Sequence, residues 1–348
     1  MMKIPAARAE NHRKALTEMT GATEVEPGGL LDDQGTPVFD QIVCADSIKA
    51  LSDAPEGWAD LVFADPPFNI GYLYHGYNDQ RKAEDYLKFS EDWIAAVYRA
   101  LKPSGSFYLA IGDDYAADLC VIARRKVGLN LRNWIIWHYT FGQQTKAKFA
   151  KSHTHILYFT KDEKAFTFNA NAVRVASARQ TAYNDKRANP KGKLPDDTWY
   201  LRPQETPEPF FDEACDTWNV PRVCGTFKER EGWHGCQMPI AVLNRIILAS
   251  SNPGDVVLDP FNGSGTTSVA AALLGRHYVG IDQSSQYVAH ARKRMAATTL
   301  AIAAKNAQTA TQGSEQGLAD FALKAATANR RSRLFTDTDA FGRKRVTR

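Results

Sequence analysis

The chain predicts a protein of the α/β class, built on one mostly parallel sheet with helices on its faces. Three observations carry that expectation. Short apolar runs recur along the chain and end in acids: Val38–Asp46, Leu61–Asp65, Val256–Asp259 and Arg276–Asp282. Runs of that length with little polar alternation suit strands buried on both faces, as parallel strands are. Amphipathic or Ala-rich stretches of helical length separate these runs, so strands and helices alternate. Finally, 348 residues with 44% hydrophobic content suit one large domain with insertions, or one domain plus a smaller lobe.

Taken in order, residues 1–35 show no strong periodicity and read as an extension. Val38–Asp46 and Leu61–Asp65 are strands, and Pro66 and Pro67 stop the second because proline lacks the N–H a ladder needs. From Ala83 to Leu101 a helix gathers Tyr86, Phe89, Trp93, Ile94, Val97 and Leu101 largely on one face. It is expected to stop at Lys102–Gly105, with a strand over Ser106–Gly112 and a helix near Tyr115–Val127. Trp134–Tyr139 and His155–Phe159 read as a closing strand pair. The middle region, 162–232, is punctuated by Pro and Gly and carries few helical patterns. A helix over Pro239–Ser250 follows, with proline in its first position. Then come the strand Val256–Leu258, the helix 266–274, the strand Tyr278–Ile281 and the helix Gln286–Met295. Beyond 300 the Ala-, Gln- and Thr-rich chain reads as a loose tail.

Two strand ends carry the chemistry. Asp65-Pro66-Pro67-Phe68 sits at the carboxyl end of a buried strand, where open α/β sheets bind ligands. A carboxylate and the Pro66 carbonyl accept both hydrogens of an exocyclic amino group, and the Phe68 ring suits a flat base. The second is Asp259-Pro260-Phe261-Asn262-Gly263-Ser264-Gly265-Thr266. Glycines two apart let the backbone approach a ligand, and a helix N-terminus beginning near Thr266 offers free N–H groups. No lysine falls between Asp255 and Lys293, which argues against a Walker-type phosphate loop. The missing third glycine weakens a dinucleotide site. Asp282, at the end of the next strand, is placed to accept hydrogen bonds from ribose hydroxyls. Together these features point to an adenosine-containing ligand without a polyphosphate.

The motifs resemble the β class of S-adenosylmethionine-dependent DNA amino-methyltransferases, which modify adenine N6 or cytosine N4. In that class an Asp/Ser-Pro-Pro-aromatic motif precedes Phe-x-Gly-x-Gly, with a DNA-recognition region between them. Here Asp65–Phe68 precedes Phe261-Asn262-Gly263-Ser264-Gly265, and a basic segment lies between. Trp233-His234-Gly235-Cys236-Gln237-Met238-Pro239 is similar to the family's His-Pro-x-Gln-Lys-Pro element, departing at Gly235 and Met238. The resemblance covers roughly residues 38–298. It implies a Rossmann-like methyltransferase sheet in circularly permuted motif order, with an inserted DNA-recognition lobe. The expected units are an N-terminal extension (1–35), a catalytic half (36–161), a target-recognition lobe (162–232), a cofactor-binding half (233–298) and a basic tail (299–348). It assigns catalysis to Asp65, Pro66, Pro67 and Phe68. S-adenosylmethionine would be held by Asp46, Gln237, Pro239, Asp259, Phe261, Gly263, Gly265, Thr266 and Asp282. Asp46 falls to the adenine ring, Gly263 and Gly265 to the methionine part. Asp at the first motif position leans to adenine N6, with the base flipped from the duplex onto Phe68. Gly71–Asn78 is a candidate closing loop, and His75 in it a surface or DNA-contacting residue.

Composition agrees with that reading. The net charge of +4 is modest, but residues 143–193 hold eleven Lys or Arg (146, 148, 151, 161, 164, 174, 179, 186, 187, 191, 193) against three acids. Such a stretch beside a base-modifying site suits neutralisation of the phosphates of double-stranded DNA. Residues 194–215 then swing acidic, with six Asp or Glu. Trp199, Tyr200, Phe210 and Phe211 pack a small lobe or stack at DNA, and Arg330–Arg333 and Arg343–Arg345 add nonspecific grip. No apolar run approaches the ~20 residues of a membrane span, and the N-terminus lacks a signal-peptide core, so a cytoplasmic protein is expected. Five scattered cysteines predict no disulfides, and Cys215, Cys224, His234 and Cys236 match no common zinc module, so no metal is expected. A second copy of the chain and a cognate restriction endonuclease are candidate partners. The rivals are a cytosine-N4 or RNA methyltransferase, a protein-glutamine methylase, and a DNA-binding protein that kept the fold without catalysis.

Overall fold

The structure, a computed structural model, describes residues 29–74, 77–143, 147, 149–197, 230, 231, 233 and 236–312. The expectations for residues 1–28, His75, His234, Trp199, Tyr200, Phe210, Phe211, Cys215, Cys224 and the arginines beyond 312 lie outside those residues.

β1 (Gln41–Cys44), α1 (Ser47–Asp53) and β2 (Ala59–Ala64) open the fold, followed by an antiparallel pair, β3 (Leu73–Tyr74) and β4 (Tyr77–Asn78). α2 (Ala83–Ala100) runs straight into β5 (Leu101–Ile111), and α3 (Ala116–Val121) continues as a π-helical turn over Ile122–Val127. β6 (Asn130–Gln143) and β7 (Lys151–Thr160) come next, then the short α4 (Ala178–Thr181). α5 (Ile240–Ser250), β8 (Val256–Asp259), α6 (Thr266–Leu273), β9 (His277–Asp282) and α7 (Ser285–Gln312) complete the described chain.

Seven strands form one sheet in the order β1-β9-β8-β2-β5-β7-β6. β1, β9, β8, β2 and β5 are mutually parallel, and β7 runs antiparallel to both of its neighbours. The N-terminal β1 therefore pairs with the C-terminal β9, and β8 sits beside β2 at Leu61↔Val257 and Val62↔Leu258. Segments far apart in sequence interleave, and their carboxyl ends line up. Asp46, Asp282, Asp259 and Asp65 follow one another along that edge of the sheet.

Strand alternation divides the core. Val62 and Ala64 of β2 face the layer of α1, α2 and α3 with Trp93, Ile94 and Leu109, whereas Leu61 and Phe63 face α5 and α6 with Val242, Leu243 and Ile247. A third cluster joins Ile42 and Cys44 to Val288, Ala291 and Met295 of α7. Each fully buried large aliphatic or Phe side chain contributes roughly 1.5–3 kcal/mol. The result is helices on both faces of a central sheet, as the sequence predicts. Among the described helices none is long and apolar enough to cross a membrane.

Three expected boundaries change. β5 pairs from Leu101, opposite Ala59, and resumes at Ser106 opposite Leu61, so Lys102–Gly105 is a bulge within a strand and not a separate connection. Lys102 anchors that bulge on Asp60 at 2.8 Å, and Asp60 also accepts the Val256 N–H at 2.9 Å. Pro239 is the N-cap of α5, with extended backbone (ψ 136°), one position outside the helix. α7 continues to Gln312, where the sequence suggests a loose tail beyond 300. Ala, Gln and Lys are strong helix formers, so this turn-after-turn extension of a helix already nucleated on the core costs little.

Candidate active site

The turn after β2 is held from several directions. Asp65 is half-buried at the strand's end and Pro66 is buried. The Pro67 carbonyl accepts the Tyr86 hydroxyl at 2.8 Å, from α2. The Phe68 ring lies against Gly112, just past β5, where an added Cβ would come within 3.2 Å of it. Asn69 adopts a left-handed backbone (φ 57°), which asparagine tolerates, and its amide brackets Arg81. It accepts from the Arg81 N–H at 2.6 Å and donates to the Arg81 carbonyl at 3.1 Å and the Tyr115 hydroxyl at 2.9 Å. The connection from 69 to 81 is thus closed at its base, with Asp79 buried inside it and accepting from the Ile70 N–H at 3.3 Å. Burial raises the Asp79 carboxyl above its ordinary value against the pull of those N–H groups.

The glycine loop after β8 is ordered by two acids. Asp259 accepts from the Phe261 N–H at 3.0 Å and the Thr267 hydroxyl at 2.6 Å. Asp282 accepts from the Gly263 N–H at 2.8 Å and the Ser284 N–H at 2.8 Å. Burial pushes Asp259 up to about 7, helped by the nearby charge of Asp282 and opposed by its two donors. Burial likewise pushes Asp282 up to about 6. Gly263 and Gly265 both have left-handed φ, 45° and 75°. Gly265 caps α6 and packs on α7, where a Cβ would lie 3.1 Å from that of Ala291. Asn262 is 3% exposed; its carbonyl accepts from Ser268 while its Nδ2 has no partner among the described residues.

A cavity of about 400 Å³ joins the two turns, within the roughly 300–1,000 Å³ usual for small-molecule sites. Of the residues assigned from sequence, Asp65, Pro67, Asp259, Phe261, Gly263, Thr266 and Asp282 line it. The others do not. Pro66 is buried beneath the turn, and Phe68 is turned onto Gly112. Gly265 faces α7, so its small size serves helix packing and not ligand approach. Asp46 is exposed as the N-cap of α1, accepting from Lys49 N–H and the Gln283 amide, each at 2.9 Å; its neighbour Ser47 lines the cavity instead. Gln237 is buried and takes the Glu231 N–H at 3.0 Å, and Pro239 caps α5, while Cys236 and Met238 reach the wall.

Among the lining residues that escaped the sequence reading are Ser47, Arg81, Phe89 and Tyr287. In the sequence Phe89 shows only as part of the apolar face of α2. Arg81 lies in a polar connection with no motif signal, and its guanidinium carbon sits 4.2 Å from the Phe89 ring centroid.

Outside the cavity, Asp113 meets Lys151 at 3.3 Å, His153 at 3.5 Å and His155 at 3.4 Å. The Trp134 indole N–H donates to His155 Nδ1 at 2.9 Å. That bond uses the Nδ1 lone pair, so the neutral ring keeps its proton on Nε2, toward Asp113, and has no lone pair there for a metal. The cluster is an ion-pair network at the rim of the sheet.

Comparison with known proteins agrees with this geometry. A family model described as DNA methylase matches residues 59–293. The Type II methyltransferase M.HpaI of Haemophilus parainfluenzae is 35% identical over 256 residues, 73% of this chain and 74% of that one. The DNA adenine methyltransferase YhdJ of Escherichia coli (strain K12) is 34% identical over 259 residues, 73% of this chain and 82% of that one. Among solved structures, PvuII DNA methyltransferase (cytosine-N4-specific) superposes with a TM-score of 0.50 at 16% identity, over 83% of this chain and 94% of that one, which shows a shared fold.

Proposed function

The chain belongs to the DNA methylase family, and from that premise we propose that it transfers a methyl group from S-adenosylmethionine to adenine N6 in duplex DNA. One observation carries the reading: Asp65 and Pro67 line the same cavity as Phe261, Gly263, Asp259 and Asp282. The adenine assignment is supported by the aspartate at the first motif position. It also draws on the relative named as a DNA adenine methyltransferase, 82% of whose length this chain covers.

The residues fit the methyl donor. The volume suits a nucleoside-sized ligand, and the wall is partly aromatic, with Phe261 and Phe89 in it. Asp282 would take the ribose hydroxyls, Phe261 and Gly263 would border the methionine path, and Asp259 would order the loop or meet the adenine amino group. When bound, the donor supplies an electrophilic methyl on a sulfonium. The remaining work is done by the protein. The lone pair of an aromatic amino nitrogen is delocalised into its ring, so it is a poor nucleophile. The Asp65 carboxylate, which lines the cavity, accepts one of its N–H bonds and favours a pyramidal nitrogen with an available lone pair; the Pro66 carbonyl, expected from the sequence to take the other, is buried beneath the turn. Positive charge growing on that nitrogen is stabilised by the adjacent carboxylate. Asp65 can receive the departing proton after transfer and need not be a strong base. The target atom is stacked inside a duplex, so the base must be flipped out to reach Asp65. The reaction belongs where bacterial DNA lies, in the cytoplasm. A restriction-modification pairing is part of the same reading, because one relative is named a Type II methyltransferase.

Incubation with methyl-labelled S-adenosylmethionine and unmethylated genomic DNA, followed by digestion to nucleosides, tests it. Label is expected in N6-methyldeoxyadenosine. Asp65→Ala should lose at least about 10²–10³-fold in turnover, the scale of a deleted electrostatic stabiliser, with cofactor affinity retained. Label in N4-methyldeoxycytidine would overturn the base assignment, and wild-type turnover in Asp65→Ala would overturn the mechanism.

A further inference from the structure

The described residues that line the cavity include three carboxylates, Asp65, Asp259 and Asp282, and a single lysine or arginine, Arg81. Nothing in the motif pattern marks that arginine, yet the fold takes trouble to place it. Its backbone is clamped on both sides by the Asn69 amide, N–H at 2.6 Å and carbonyl at 3.1 Å. Its guanidinium lies over the Phe89 ring at 4.2 Å, a cation–π platform that restrains a long side chain. Phe89 in turn packs edge-on against Phe261 of the glycine loop, centroids 6.4 Å apart. Arg81 is thereby tied to both halves of the site, to the Asp65 turn through Asn69 and to the glycine loop through Phe89.

S-adenosylmethionine carries one anionic group, its α-carboxylate, beside a cationic sulfonium and ammonium. Carboxylates in the wall suit the hydroxyls, the amino groups and the cations of that ligand, and repel its carboxylate. A guanidinium matches a carboxylate in a two-bond fork. We propose that Arg81 is the anchor for the carboxylate of the methyl donor. The inference rests on the methyl-donor reading given above and adds to it the group that fixes the amino-acid end. The N-terminus of α6 is the competing carboxylate site, since its N–H groups also face this region. Its first turn, however, already faces a carboxylate of the protein: the Thr267 hydroxyl donates to Asp259 at 2.6 Å, and a second carboxylate there would meet that acid.

Binding calorimetry with two probes tests the assignment: S-adenosylmethionine, and decarboxylated S-adenosylmethionine, which keeps the sulfonium and amine and lacks only the carboxylate. The wild-type chain should prefer the intact donor by about 10–100-fold, the worth of a charge-assisted pair. Arg81→Ala should lose that preference by weakening intact donor alone, with decarboxylated donor bound within about twofold of wild type. Arg81→Lys, which keeps charge but not the fork, should fall between. Equal weakening of both probes would overturn the proposal in favour of a structural role for Arg81. Unchanged binding of both would overturn it in favour of the α6 terminus, and a raised KM for DNA in the same variant would then assign Arg81 to the substrate. A wild-type chain that binds neither probe would overturn the methyl-donor reading itself, whatever Arg81 does.

Discussion

Asp259 and Asp282 show what a single residue contributes once its surroundings are known. Both carboxyls sit above their ordinary 3.8, at about 7 and about 6, chiefly because burial penalises their charge. The folded chain therefore holds these protons more tightly than the unfolded one. The stability so gained is fully present below pH 3.8 and is lost as pH rises through 6 and 7. In the cofactor-free protein, Asp259→Asn should remove part of that loss. It costs a pH-independent amount, because an amide cannot accept from both Phe261 N–H and Thr267. Its Tm relative to wild type should nevertheless improve between about pH 4 and pH 7 and level off above that. Calorimetric scans across that range decide the matter, and a constant offset would mean that Asp259 does not titrate there. The two acids were legible as strand-end residues in the sequence; their raised affinity for protons was not, since it depends on what closes over them.

At the scale of elements, the layout of strands and helices was largely legible because it rests on short-range patterns. The one-sided apolar face of α2 and the two prolines after β2 each act within a few residues. Boundaries were harder. β5 begins at Leu101 only because β2 is present to pair with it, and no local pattern could place that pairing. α2 also carries a link that spacing could not reveal. Trp93 is 1% exposed and meets Phe261 edge-on at 5.2 Å, as well as Phe107 at 6.0 Å. Trp93→Ala should cost about 3–5 kcal/mol of stability by leaving a cavity. It should also weaken cofactor binding, because it removes the support of the glycine loop's ring. Phe159→Ala, a buried ring stacked on Phe107 from the far side at 5.8 Å, should cost a similar amount in denaturant unfolding yet leave cofactor affinity unchanged. Equal effects on affinity would show that Trp93 acts only through global stability.

For the whole molecule, charge distribution has to be read in three dimensions. The basic stretch counted along the chain is partly spent at home. Arg179 and Arg187 hold Asp185, at 2.7 and 3.0 Å, Lys193 holds Asp196 at 2.8 Å, and Lys151 holds Asp113 at 3.3 Å. Lys186 and Lys191 have no acidic partner among the described residues and are the better candidates for phosphates. DNA affinity should fall linearly on a log–log plot against salt, and neutralising either lysine should reduce the slope by about one. A slope unchanged in the double substitution Lys186→Ala/Lys191→Ala would remove them from the interface.

By itself the sequence determined which residues close each strand, where the chain must turn, and that a paired acid–proline turn and a glycine loop lie at carboxyl ends. Those features follow from proline's missing N–H, glycine's free φ and the periodicity of burial, all local properties. Only the tertiary structure decided which residues meet. It brought β8 beside β2 across nearly two hundred residues of chain, set Phe68 on Gly112, turned Gly265 toward α7, and carried Arg81 into the cavity on Phe89. Such contacts depend on the path of loops and the packing of helices, where the free energy of one position is set by neighbours distant in sequence.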